Sequence, residues 1–65
     1  MYYTIEIEAI KESYKTFDQS LSDLLEIFPE AFLNGDWQET ATETFMYIYN
    51  SCTDNTVIGK IFEQE

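Results

Sequence analysis

Ten uncompensated negative charges on a chain of 65 residues set the first limit on what it can fold into. Thirteen acids stand against three lysines, with no arginine and no histidine. A small body so charged repels itself, and it needs a substantial apolar core to stay compact. The chain supplies one: 45% of its residues are hydrophobic and 17% aromatic, too many for an acidic disordered tail. Its length allows one domain, residues 1–65. A chain of this size buries only about 60% of its unfolded surface, so the core is small. The expectation is a compact acidic domain, with a homodimer as an added source of stability.

Cys52 is the only cysteine, which excludes an intrachain disulfide and fits a reducing compartment. It is expected as a small, partly buried apolar residue. The start, Met1-Tyr2-Tyr3-Thr4-Ile5-Glu6, lacks the basic and long apolar segments of a signal peptide. No run approaches the ~20 apolar residues of a membrane span, and an anionic membrane surface would repel the chain. The expected location is the cytoplasm, with no membrane partner.

Residues 2–10 alternate. Tyr3, Ile5, Ile7 and Ala9 share one face and Thr4, Glu6 and Glu8 the other, which predicts a half-buried strand. Phe17, Leu21, Leu24, Leu25 and Phe28 follow a helical stripe, with Thr16, Asp18 or Ser20 as the cap. Pro29 ends or resets this helix and offers a second short turn through Leu33. Asn34-Gly35 then supplies a stop. Residues 36–51 read either way. Trp37, Ala41, Phe45, Ile48 and Tyr49 make a helical stripe, with Asp36 and Glu39 as a capping box. The threonines and tyrosines favour a strand. We assign residues 43–50 to a strand and the first half to a loop or helical turn. Residues 57–62 form a further strand after a connection of about five residues. The predicted fold class is α+β: one main helix on a three-stranded antiparallel sheet, in the order strand, helix, strand, strand.

Catalytic chemistry is hard to assemble from these residues. Histidine is missing, no glycine-rich phosphate loop exists, and Cys52 has no partner base. No residue pattern suggests a metal or cofactor, and an enzyme is not expected. Lys11, Lys15 and Lys60 cannot neutralise a run of phosphates, so direct nucleic-acid binding is not expected either.

The acids point elsewhere. Duplex DNA carries one negative charge per ~1.7 Å of its axis, and proteins that bind it line a groove with basic residues. Carboxylates at comparable spacing on a rigid body suit such a groove, so the expected partner is a basic nucleic-acid-binding protein. Glu6 and Glu8 would lie ~7 Å apart on one strand face. Asp23 and Glu26 sit on adjacent helical turns. Asp36, Glu39 and Glu43 continue the series. Affinity also needs apolar anchors, for which Trp37, Leu24 and Phe28 are candidates. The competing reading is a dimerising interaction module, antitoxin-like or an assembly adaptor, whose charge only keeps an aromatic-rich surface soluble.

The segment Ser20-Leu21-Ser22-Asp23, followed by Leu24, Leu25, Glu26, Ile27 and Phe28, resembles the small phage-encoded inhibitors of uracil-DNA glycosylase. The likeness is confined to this stretch. It implies an acidic mimic of DNA whose helix and neighbouring acids face the enzyme, with an apolar group engaging the loop that normally enters the duplex. Those inhibitors place a phenylalanine directly after Ser-Leu-Ser-Asp, where this chain has Leu24. Anti-CRISPR and anti-restriction proteins that mimic DNA share the size and charge without the sequence.

Overall fold

The computed structural model describes residues 1–64. It contains a single sheet of five antiparallel strands and one eleven-residue helix. Strands β1 (Tyr2–Ile7) and β2 (Ile10–Tyr14) form a hairpin, followed by helix α1 (Phe17–Ile27). Then come β3 (Gln38–Glu39), β4 (Thr44–Ser51) and β5 (Asp54–Gln64). Across the sheet the order is β2-β1-β5-β4-β3. The protein is therefore mostly strand, and the expected α+β plan of three strands around one helix is corrected by two further strands.

Both additions have a physical reason. The alternation over residues 2–10 continues through a tight turn at Glu8 and Ala9, because Ile7 pairs with Ile10. Glu8 takes a φ of 52°, a left-handed conformation usually left to glycine or asparagine. Nothing in its side chain announces that turn. β2 is an edge strand, almost wholly exposed, so it shows no apolar run. β3 has two residues and exists through its pairing with Thr44 and Phe45.

The other expectations fall closer. Thr16 caps α1, its hydroxyl accepting the Gln19 amide at 3.2 Å. Asp18 sits in the first turn, where the helix dipole favours an acid. The helix ends at Ile27, two residues before Pro29. A single turn follows at Pro29 and Glu30, the Ala31 amide donating to the Phe28 carbonyl at 3.0 Å, but it does not run on to Leu33. Phe32 instead bonds to Tyr49 through both backbone groups, at 3.0 and 2.8 Å, extending the β3 edge. Gly35 adopts φ 82°, and Asn34 accepts the Asp36 amide at 3.0 Å. β4 and β5 are joined by Cys52 and Thr53 alone, since Ser51 pairs with Asp54. The expected five-residue connection is thus two residues, and Cys52 is exposed at its tip rather than partly buried. Asp54 secures this turn by accepting from Thr56 and Asn50, and these bonds hold its carboxyl below the usual range.

The core lies between the sheet and α1. Ile5, Ile7, Met46, Ile48 and Ile61 point toward Leu24, and Tyr3, Phe17, Phe28, Leu33 and Trp37 close its margins. Gly59 belongs to this face and must remain small. A Cβ there would abut the Glu6 carbonyl and lie 2.6 Å from Ile7 Cγ1. Gly59→Ala should therefore cost about 1–3 kcal/mol, read as a lower urea midpoint at unchanged slope. An unchanged midpoint would mean that β1 and β5 are not packed this closely.

Candidate functional site

The sheet sorts the charges. Strand alternation puts Lys11, Thr4, Glu6, Lys60, Phe62, Phe45 and Tyr47 on the face away from the helix. Lys11 pairs with Glu6, Glu6 with Lys60 and Lys60 with Tyr47, so cations and anions meet across neighbouring strands. Lys60 Nζ donates to Glu43 at 2.8 Å, the one ion pair among the described residues. That bond, chiefly, lifts the lysine pKa, and Glu6 adds to the effect. The same ammonium stands 5.1 Å from the Phe45 ring centre and 5.6 Å from that of Phe62.

The helix side is different. Asp18, Asp23 and Glu26 lie on α1, and Asp18 and Glu26 are ~12 Å apart along its axis. Glu30 and Asp36 follow on the connection whose Ala31, Leu33 and Trp37 pack on the core. Glu12, Glu39 and Glu63 share this side by register, opposite Ile5, Thr44 and Tyr3. No lysine lies on the helix, on residues 28–37 or on the helix side of a strand.

This geometry divides the residues singled out in the sequence. Asp23, Glu26, Asp36 and Glu39 fall on the uncompensated side. Glu6 falls on the opposite face between two lysines, Glu8 leaves the strand at the turn but borders the same depression as Glu6, and Glu43 is on that face too, bonded to Lys60. Leu24 is 2% exposed and belongs to the core, so it is corrected from a contact residue to a packing residue. Phe28 is half-buried against the same core. Trp37 is half-buried too, its ring 5.7 Å from Phe17, which is 5.6 Å from Tyr3. The apolar groups that helix α1 leaves in solvent are Leu25 and Ile27, exposed by 44% and 55%. Helical phase hides this signal. Leu25 reads as part of the buried stripe, but Leu24, one residue earlier, takes the central place and turns Leu25 to the flank. Glu12 and Glu63 were also missed as members of the set, because only strand register shows that they share the helix side of the sheet; Asp18 was read only as a cap and polar-face residue of the helix.

Among the described residues, no cluster of His, Cys, Asp or Glu is arranged to hold a metal, and no helix is long and apolar enough to cross a membrane. The density of acids has one measurable effect. Tyr14 on β2 lies beside Asp23 and Glu12, and burial first, then Asp23, raises its pKa above the usual 10.0. The folded state thus disfavours the phenolate. Its stability is intact below pH 10 and declines as the pH rises past the ordinary tyrosine value. Asp23→Asn should move the Tyr14 titration, followed by NMR of its ring carbons, part of the way back toward 10.0. An unmoved titration would show that the Asp23 carboxylate is not held against β2.

No family model, no curated protein and no solved structure matches this chain.

Proposed function

We propose that the protein is a small phage-type inhibitor, acting in the host cytoplasm, that occupies the nucleic-acid groove of a basic DNA-processing or defence enzyme. Uracil-DNA glycosylases and CRISPR effectors are the enzyme classes in view. The observation that carries this reading is the one-sided charge. Acids from α1, its following connection and the inner faces of the flanking strands gather on one side, and none of these segments carries a lysine there; Lys15 lies between β2 and the Thr16 cap. A polar surface kept only for solubility would mix signs on both faces, as the sheet face does. An unmixed anionic side steers a basic groove toward it and speeds encounter.

Asp18, Asp23, Glu26, Asp36 and Glu39 serve as phosphate substitutes in this reading. Leu25 and Ile27 supply the desolvated contacts that charge alone does not provide. Asp23 and Glu26 occur in both the sequence resemblance and the anionic side. Glu6 and Glu8 are left out of the contact.

The test is competition with duplex oligonucleotide for a purified uracil-DNA glycosylase and for a CRISPR effector. The protein should displace DNA from its target, and binding should weaken steeply with added salt. The triple change Asp18→Asn, Asp23→Asn, Glu26→Gln should slow association about tenfold and flatten the salt dependence. The Glu6→Gln protein should behave as wild type. Binding that ignores ionic strength, or a complex that still holds DNA, contradicts the reading. A triple variant with full activity favours the dimerising module instead.

A further inference from the structure

The helix-free face of the sheet has no covering element, yet it holds two of the eight buried hydrophobic residues, Phe45 and Phe62. Their cover is improvised. The Tyr47 ring meets Phe45 edge-on at 5.1 Å, and Lys60 reaches over both phenylalanines to Glu43. Apolar surface remains around them: Tyr47 is 39% exposed and Val57 47%. Glu6, Glu8, Tyr47, Val57, Gly59 and Lys60 line one open depression of about 260 Å³ on this face. Its charges nearly cancel, because Lys11 and Lys60 stand against Glu6, Glu8 and Glu43. Most of the net charge of -10 therefore resides elsewhere on the chain.

From this balance we infer that the helix-free face is a self-association surface whose occupant is a second copy of the same chain, packed sheet to sheet about a twofold axis. A copy approaching by its helix side would bring acids against acids at close range. A copy approaching by the sheet face meets both signs in nearly equal number, and exposed apolar side chains. It also leaves both anionic sides pointing away from each other. A twofold axis presents the same patch to itself, and a patch with both signs is self-complementary where a one-signed patch is not. Two sheets stacked ~10 Å apart would cover Tyr47 and Val57 and complete the cover over Phe45 and Phe62. The edge strands, through which a sheet of this kind also joins copies, are left open in this arrangement.

This inference does not rest on the enzyme target, and its salt dependence has the opposite sign. Screening relieves repulsion between two bodies of charge -10, so the dimer should tighten as salt rises. Sedimentation velocity on the full chain should find twice the chain mass at high micromolar concentration. Val57→Asp should weaken the dimer at least tenfold with an unchanged circular dichroism spectrum, and Tyr47→Ser, the gentler change, should weaken it in the same direction. Leu25→Asp on the helix side should leave it intact. A monomer at every concentration overturns the inference. So does a dimer that loosens with salt, and so does one dissolved by Leu25→Asp but untouched by Val57→Asp and Tyr47→Ser.

Discussion

Strand β5 is the constraint on which the rest of the molecule depends. It is the central strand, paired with β1 on one side and β4 on the other. Two successive residues on it, Ile61 and Phe62, point to opposite faces, and both are buried. The chain therefore has two apolar surfaces to cover. One helix and one irregular connection cover the first. Nothing regular covers the second, where a lysine stem and a tyrosine ring stand in for a missing layer. The two faces then diverge in chemistry. The helix side is finished and anionic, and the sheet side is nearly balanced and partly apolar.

That divergence explains how a chain with so strong a self-repulsion folds. Its acids are mostly half-buried or exposed at margins, never in the core. The buried polar groups are Thr4 and Ser20, and both are satisfied. Thr4 donates to Gln64 and exchanges a bond with Ser13, linking β5, β1 and β2 across the sheet. Ser20 donates to the Phe17 carbonyl within the helix. Neither leaves an unpaired group to offset. The repulsion is spread over one side at the surface, where water and salt screen it.

The sequence conveys some levels of this arrangement well and others poorly. The helix was legible because its cap, stripe and terminating proline agree. β1 was legible from its alternating Tyr3, Ile5 and Ile7; β4 read as helix or strand, and of β5 only residues 57–62 carried a strand pattern. β2 was not legible, because an exposed edge strand such as Lys11-Glu12-Ser13 has no apolar period to read. The Glu8 turn was hidden by a residue that does not favour its backbone conformation. The acids were visible as a total, but their grouping was not. Strand register decides that Glu6 faces two lysines while Glu12 faces the helix side, and a one-residue slip would exchange them. Trp37 in its polar loop read either as a buried residue or as an anchor, and the loop folds back and sets its ring, half-buried, beside Phe17.

The central claim is a separation of charge across the sheet, and it is measurable without any partner. Proton relaxation induced by cationic and by anionic nitroxides gives the local potential residue by residue in the free protein. The account predicts a strongly negative potential over α1 and residues 28–37, and one near neutral around Tyr47, Val57 and Lys60. A potential equally negative on both sides would contradict it.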